Sequence, residues 1–209
     1  MSKIAVIDYE AGNLRSVQKA FESLGYDAVV TSDASVIKSA HKVVLPGVGA
    51  FGDCVSGLEK AELKETVLDV ISSGKPFFGI CVGMQMLFEK SFEFGEHNGL
   101  GIFRGSVKKF PDEIVKKGMK IPHMGWNSLN ITQKDHPVLK GINDGDMVYF
   151  VHSYYVQSED RAVVAAECEY GVNFTATAAR DNVFATQFHP EKSQTTGLKL
   201  LKNFGEWKC

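Results

Sequence analysis

The sequence predicts an α/β fold, and three observations carry this prediction. Short β-branched runs alternate with helical patterns through the first half of the chain, which is typical of a parallel sheet with flanking helices. The second half carries closely spaced strand-like runs, with a tight hairpin signal at 180–183. The length of 209 residues suits one domain. We therefore expect a single domain over residues 1–209, with a mostly parallel central sheet, flanking helices and added antiparallel strands.

The elements of the first half alternate regularly. Apolar, mostly β-branched runs predict strands at 4–7, 28–30, 43–45 and 77–80. Apolar residues at helical spacing predict helices at 14–24, 34–40 and 53–72, and a further helix after residue 81 through Met84, Leu87 and Phe88. Gly25 stands where a left-handed residue commonly ends a helix.

The second half is richer in strands. Strand-like runs occur at 101–110, 147–157, 162–169, 173–180 and 183–188. A final helix is expected from about Gln194, with Leu198, Leu201 and Phe204 on one apolar stripe and Leu200 beside it.

Composition excludes several classes of protein. With 44% hydrophobic and 23% charged residues the chain is typical of a globular protein. A formal net charge of −2 gives no electrostatic reason to expect a nucleic acid or an anionic membrane as partner. No apolar run approaches the about 20 residues of a membrane span, and residues 3–8 lack a signal-peptide layout. We expect a cytoplasmic location.

Cysteine and histidine spacing predicts neither disulfides nor metal. The four cysteines form no C-x-x-C pair, and the six histidines form no H-E-x-x-H motif. Cys54 and Cys168 are interpreted as packing residues and Cys209 as an exposed terminal thiol. No glycine pattern fits a dinucleotide fingerprint or a phosphate loop. We expect no metal and no cofactor.

Cys81 is the most informative residue. It ends the predicted strand at 77–80, is flanked by Gly79 and Gly83, and precedes a helical pattern. Glycines on both sides permit a sharp strand-to-helix turn that lifts the central side chain out of the sheet. A thiol at a helix N-terminus becomes a usable nucleophile. The alternative is a buried structural cysteine.

A second segment, 187–192, supplies the groups that such a nucleophile requires. His189 can act as the base, and Glu191, two residues on in an extended segment, can orient its ring. Pro190 stiffens the link between them. The pattern predicts a Cys81–His189–Glu191 triad.

A glycine-rich turn at 46–49 follows the third strand. Because the carboxyl ends of parallel strands meet at one edge, this turn is expected beside Cys81. Backbone N–H groups of Gly47, Val48 and Gly49, together with the N–H of Val82, would then form an oxyanion hole. The alternative is a plain strand-to-helix turn.

These segments resemble the class I (triad) glutamine amidotransferases. The likeness rests on Pro46-Gly47-Val48-Gly49, on 79–85 and on 189–193, whose order and spacing agree across nearly the whole chain. A finer likeness lies in residues 8–14, 122–127 and 150–155. It points to the members that feed ammonia to a separate (β/α)₈ cyclase subunit in histidine biosynthesis.

The resemblance implies a role for each matching position. Cys81 would be the nucleophile, His189 the general base and then acid, and Glu191 its orienting group. The glutamine pocket would be formed by Gly49, Gln85, Glu93, Ser153 and Tyr154. Gln85 lies one helical turn after Cys81, which supports its place in the pocket, whereas Glu93 stands in an acidic stretch that is alternatively just exposed.

The resemblance also implies a heterodimer with the cyclase subunit, which would bind the phosphorylated substrate. Trp126 is expected to anchor the docking, since rigid aromatic residues are enriched at interface hot spots. It is alternatively a core residue. The predicted interface consists of Asn13, Pro122, His123, Met124, Gly125, Trp126, Asn127 and Lys192. The resemblance further implies that the free glutaminase is poorly active and is activated by the partner's ligand, with the turn at 46–49 as the mobile element.

Three other functions remain open at this stage. A paralogous glutaminase could feed ammonia to a different synthase. A hydrolase of the same fold could act on γ-glutamyl compounds without a partner. A binding module could retain the fold without activity, although the intact triad residues weigh against it.

Overall fold

A computed structural model describes residues 3–208, and Cys209 therefore lies outside the described residues. Over this range the chain forms fourteen strands: β1 (Lys3–Ile7), β2 (Asp27–Thr31), β3 (Lys42–Gly47), β4 (Phe77–Cys81), β5 (Phe88–Ser91), β6 (His97–Asn98), β7 (Phe103–Lys109), β8 (His123–Ser128), β9 (Asn130–Ile131), β10 (Met147–His152), β11 (Tyr154–Ser158), β12 (Val164–Glu169), β13 (Asn173–Arg180) and β14 (Val183–Thr186).

The same residues form seven α-helices: α1 (Leu14–Ser23), α2 (Ala34–Ser39), α3 (Phe51–Lys60), α4 (Lys64–Ser72), α5 (Val82–Gln85), α6 (Glu113–Lys116) and α7 (Gln194–Glu206). Short 3-10 turns occur at Pro137–Leu139, Arg161–Val163 and Pro190–Lys192.

The main sheet has eight strands in the order β2-β1-β3-β4-β14-β13-β12-β9. Pairing is parallel from β2 to β14 and antiparallel from β14 to β9. Strands β11, β7, β5 and β6 form a second sheet, and β10 pairs with β8 in a two-stranded ribbon. The predicted α/β class, with antiparallel strands added to a parallel sheet, is confirmed.

Several local predictions are also confirmed. Gly25 follows α1 with φ +85°, the left-handed conformation expected after a helix. Arg180 pairs directly with Val183 across the hairpin, whose turn residue Asp181 has a positive φ. Cys54 and Cys168 are buried, and burial raises the pKa of their thiols to about 11 and about 12.

Other boundaries were wrong. The helix predicted at 53–72 is divided into α3 and α4 at Glu62, whose φ of 58° is incompatible with a continuous helix. The run at 147–157 is interrupted at Ser153, so that β10 and β11 join different sheets. Leu198 is exposed on α7, and the buried stripe instead contains Gly197, Leu200, Leu201 and Phe204.

The helix after Cys81 was predicted too long. Helix α5 has four residues, and the chain enters strand β5 at Phe88. Met84, Leu87 and Phe88 are fully buried, so their apolar character serves the core and not a long amphipathic helix. The contribution of a helix dipole at Cys81 is correspondingly smaller than the sequence suggested.

Candidate active site

Cys81 lies at the tip of a strained turn. It is the last residue of β4 and has φ 57° and ψ −112°, a backbone conformation that residues other than glycine rarely adopt. A Cβ on Gly83 would lie 1.9 Å from the carbonyl oxygen of Leu45, and a Cβ on Gly79 would lie 2.9 Å from the carbonyl oxygen of Gly83. Both glycines are therefore required for the turn that presents the thiol.

His189 and Glu191 approach Cys81 from the segment after β14. The Nδ1 of His189 lies 2.8 Å from Oε1 of Glu191, and the His189 ring lines the same cleft as the thiol of Cys81. Because a carboxylate accepts, Nδ1 carries the proton and Nε2 is left for the sulfur. Burial lowers the pKa of His189, but hydrogen bonds and charge attraction from Cys81 and Glu191 outweigh it and raise that pKa to about 10.

Two residues without a predicted catalytic role hold this pair in place. Asn13 Nδ2 donates to Oε1 of Glu191 at 2.5 Å, so the oxygen that faces His189 has a second donor. Ser193 Oγ donates to the carbonyl of His189 at 2.7 Å and accepts from the N–H of Tyr149 at 2.9 Å. Asn13 was predicted at the interface only, because no sequence pattern links two residues 178 positions apart.

The glycine turn lies beside the thiol, at the edge where the sequence placed it. Gly47 is in register with Cys81 across β3 and β4, and a Cβ there would lie 2.7 Å from the nitrogen of Gly83. Gly49 has φ +96°, which favours glycine. Two buried side chains donate hydrogen bonds to carbonyl groups of the turn. Tyr9 Oη donates to the carbonyl of Pro46 at 2.7 Å, and the Cys54 thiol donates to the carbonyl of Val48 at 3.4 Å.

A cleft of about 430 Å³ opens in front of the thiol. Every residue predicted for the glutamine pocket lines it, namely Gly49, Gln85, Glu93, Ser153 and Tyr154. Cys81, Val82, Val48 and His189 line it as well, with Pro122 and Lys192 of the predicted interface. The structure thus brings the separate sequence segments to a single cavity of a size suited to a small amino acid.

Glu93 is half-buried and has a specific partner. Its Oε2 accepts a hydrogen bond of 2.7 Å from the N–H of Phe51, at the beginning of α3. Burial raises the pKa of its carboxyl, while the Phe51 N–H opposes that shift. The residue is therefore not part of a merely exposed acidic stretch, and a carboxylate faces the cleft beside Gly49.

Gln85 lines the cleft, and Gln187 is hydrogen-bonded to it in the interior. Gln85 Nε2 donates to the carbonyl of Tyr154 at 3.1 Å and to Oε1 of Gln187 at 3.0 Å. Gln187 is fully buried, and its Nε2 lies 3.9 Å from the sulfur of Cys81. Sequence reasoning assigned no role to Gln187. Its signal was a polar side chain two positions before His189, directly after strand β14.

The β8–β10 ribbon borders the cleft on the side of Pro122. His123 and His152 face inward, opposite each other, and are only 3% and 7% exposed. Met124 and Trp126 face outward and are 66% and 42% exposed. His123 was predicted at the interface, but its ring is buried between Phe150 and Tyr170, so it cannot contact a partner directly.

Within residues 3–208, no group of three or more metal-ligating side chains is assembled, and no helix is long and apolar enough to cross a membrane. The three cysteines described, Cys54, Cys81 and Cys168, are free thiols.

Comparison with known proteins agrees with this geometry. The family model for glutamine amidotransferase class-I matches residues 5–206. The chain belongs to the class-I glutamine amidotransferases. Among curated members, it is 55% identical over 210 residues, covering both chains fully, to a protein of Geobacter sulfurreducens called imidazole glycerol phosphate synthase subunit HisH. It is 56% identical over 207 residues, 99% of each chain, to the subunit HisH of Caldanaerobacter subterraneus.

Solved structures of other proteins share the fold at low identity. PurLQS from Thermotoga maritima superposes with a TM-score of 0.73 at 20% identity, over 99% of this chain and 97% of that one. A GMP synthase protein from Thermoplasma acidophilum gives a TM-score of 0.69 at 21% identity, over 98% of this chain and 92% of that one. At such identities these structures support the fold alone. The resemblance stated from the sequence motifs is confirmed.

Proposed function

We propose that this glutamine amidotransferase hydrolyses glutamine to glutamate and ammonia, and supplies the ammonia to the cyclase subunit of imidazole glycerol phosphate synthase in histidine biosynthesis. The observation that carries the proposal is the His189–Glu191 pair, with Nδ1 and Oε1 2.8 Å apart, at a cleft that His189 and Cys81 both line. The class-I family model and the curated HisH relatives, similar over the full chain, support the same reaction.

The chemistry begins at the sulfur. Cys81 Sγ attacks the side-chain carboxamide carbon of glutamine, and the His189 ring passes a proton to the leaving nitrogen. Ammonia departs and a γ-glutamyl thioester remains on Cys81. His189 then takes a proton from water, which attacks the thioester and releases glutamate. Glu191, held by Asn13, keeps the ring in the tautomer that this exchange requires.

The oxyanion formed in both steps lies between β4 and the 46–49 turn. The N–H of Val82 and an N–H of the turn are the proposed donors, each contributing about 3 kcal/mol of transition-state stabilisation. Glu93, which lines the cleft, would bind the α-ammonium group of glutamine. The backbone at Gly49, Ser153 and Tyr154 lies where it can bind the rest of the amino acid end, beside Gln85.

The partner would dock on the outer face of the β8–β10 ribbon. Met124, Trp126 and Met147 are exposed there, and Trp126 packs its edge on Tyr149 at 6.1 Å. This face is continuous with the cleft, which Pro122, Val151 and Lys192 line. An exposed apolar patch next to an active site is the feature that a stable protein interface buries. Ammonia released at Cys81 would then enter the cyclase without crossing bulk water.

A cytoplasmic location is part of the same proposal. The reaction requires Cys81 as a free thiol, and the cytoplasm keeps thiols reduced. The free state of the three described cysteines supports it.

The test is glutamate release from glutamine by the purified chain. It is measured alone, with the cyclase subunit, and with the cyclase plus its nucleotide ligand, using Cys81→Ala as control. Stimulation by the liganded cyclase that is absent from Cys81→Ala is the expected result. Equal turnover with and without cyclase would indicate a different recipient of ammonia. No Cys81-dependent release under any condition would refute the enzymatic proposal.

A further inference from the structure

His123 on β8, the docking strand, and His152 on β10 form a buried pair beside the glutamine pocket, and neither takes part in the reaction described above. His123 stacks on Tyr170 with ring centroids 3.9 Å apart, and His152 lies 5.2 Å from the rings of Phe110 and Phe174. Polar rings in so apolar a cluster lower stability unless each nitrogen is hydrogen-bonded. Their hydrogen bonds therefore indicate what the pair does.

The carbonyl of Tyr154 determines which atom donates and which accepts in each of these hydrogen bonds. The carbonyl of Tyr154, 2.9 Å from Nδ1 of His152, can only accept, so that nitrogen carries the proton. The Nε2 of His152 must then accept, and it lies 3.0 Å from Nδ1 of His123. The Nε2 of His123 is left to accept from Nδ2 of Asn127 at 3.3 Å. Each ring thus donates once and accepts once.

Burial keeps both rings in this neutral form. It lowers the pKa of His123 to about 4 and that of His152 to about 3. At neutral pH neither ring carries a charge, so the donor and acceptor order is stable.

The chain of hydrogen bonds continues past Tyr154 to the nucleophile. The same carbonyl accepts from Gln85, which also donates to Gln187, and Gln187 Nε2 lies 3.9 Å from the sulfur of Cys81. At the other end, Asn127 follows Trp126 on β8 and also donates to the carbonyl of Glu169 at 2.9 Å. One uninterrupted series of contacts therefore joins the docking strand to the active site.

We propose that His123 and His152 are positioning residues that fix the Tyr154 carbonyl and the Gln85 amide, and through them couple docking on β8 to glutamine binding. The proposal rests on the glutaminase function proposed above. A shift of β8 on docking moves Asn127 and His123, and the linked carbonyl and amide of the pocket follow. His123 thus acts on substrate binding through other groups, and His152, although it also lines the cleft, acts through the Tyr154 carbonyl. Cys81, His189 and Glu191 perform the chemistry.

The test compares His123→Phe and His152→Phe with Phe174→Leu. The two histidine variants keep a flat ring and remove the hydrogen bonds, whereas Phe174→Leu disturbs the packing of the same cluster without touching them. We expect each histidine variant to raise KM for glutamine and to reduce the stimulation by liganded cyclase, each about ten-fold. His123→Gln, which retains a side-chain donor, should recover part of both losses. Phe174→Leu should lower Tm and leave both quantities within about two-fold of wild type.

A second measurement does not depend on folded variants. Nitrogen NMR of histidine-labelled wild-type chain reports which ring nitrogen is protonated, and we expect Nδ1–H for His123 and His152. Unchanged KM and stimulation in both Phe variants, or Nε2–H in either ring, would overturn the coupling. Wild-type turnover in the same assay tests the glutaminase proposal separately, so the two failures are distinguishable.

Discussion

The turn around Cys81 and the β8–β10 ribbon border the same cleft, yet their sequences obey opposite rules. At the turn, backbone geometry decides: Gly79 and Gly83 are glycines because a Cβ would meet neighbouring backbone atoms. In β8 of the ribbon the usual pattern is inverted, with His123 inward and Met124 and Trp126 outward. A polar residue facing the core and an apolar one facing solvent are each unfavourable alone. Together they are understandable when the outer face is covered by a partner and the inner polar groups are hydrogen-bonded.

The largest expected effect tests whether the turn around Cys81 requires glycine at position 83. Gly83→Ala places a Cβ 1.9 Å from a carbonyl oxygen that belongs to β3 and cannot rotate away. We expect a loss of about 3 kcal/mol in stability, which corresponds to about 6–12 °C in Tm. Displacement of the thiol should also reduce cyclase-stimulated turnover by at least about 100-fold. Thermal unfolding and glutamate release measure the two effects.

Val82→Ala is the matched control. It removes buried apolar atoms at the next position but introduces no clash and keeps the backbone N–H. A smaller drop in Tm and largely retained turnover are expected. If Gly83→Ala behaved like Val82→Ala, the strained turn would not be what presents the thiol.

The second prediction concerns Asn13, which was predicted at the interface and also hydrogen-bonds Glu191. Asn13→Gly removes the hydrogen bond to Glu191, and glycine tolerates the left-handed φ of 67° at this position. We expect kcat for glutamine to fall about ten-fold with KM little changed. The reason is that the His189 ring becomes less well oriented, whereas the pocket that binds the substrate is unaffected. Steady-state kinetics of the complex supply both constants. A rise in KM alone would assign Asn13 to docking instead.

The turn around Cys81 could be predicted from the sequence to a greater extent than the ribbon. Residues 79–83, 46–49 and 189–191 were expected to meet, and they lie together because each depends on a local geometry that its own segment encodes. His152 and Gln187 were not recognised, because their importance arises from partners in other segments, such as Gln85 and His123. His123 was assigned to the surface because the whole 122–127 segment was treated as one face. The pairing of β8 with β10, which separates its two faces, cannot be read from that segment alone.

The third prediction tests the outward face of the ribbon. Trp126 is 42% exposed and rests on Tyr149, the arrangement of an interface anchor. Trp126→Ala should weaken cyclase binding by about 2 kcal/mol, or about 30-fold in Kd. Titration calorimetry with the cyclase subunit gives this value. Val115→Ala, at an exposed apolar residue on α6, should leave Kd unchanged. Equal loss in both variants would show that exposure, and not the ribbon face, determines the effect.

The fourth prediction separates the two regions by the sign of their histidine titrations. The pKa of His152 is lowered by burial to about 3, so its contribution to stability is present above the unfolded value of about 6.5 and is lost as pH falls toward 3. The pKa of His189 is raised to about 10, since the Cys81 and Glu191 contacts outweigh burial. Its contribution is therefore present below about 6.5 and is lost as pH rises toward 10.

Stability should consequently fall on both sides of neutral pH, by up to about 1.4 kcal/mol per pH unit for each ring. Denaturant unfolding between pH 5 and pH 9 measures the two slopes, at pH values bounding the unfolded pKa of about 6.5. His152→Phe should flatten the acid slope and leave the alkaline one, whereas His189→Asn should do the reverse. His123 and His136, whose pKa values are also lowered by burial, would retain part of the acid slope in His152→Phe. Should one variant flatten both slopes, the two histidines would titrate as one coupled system, and the turn and the ribbon would not be electrostatically separate.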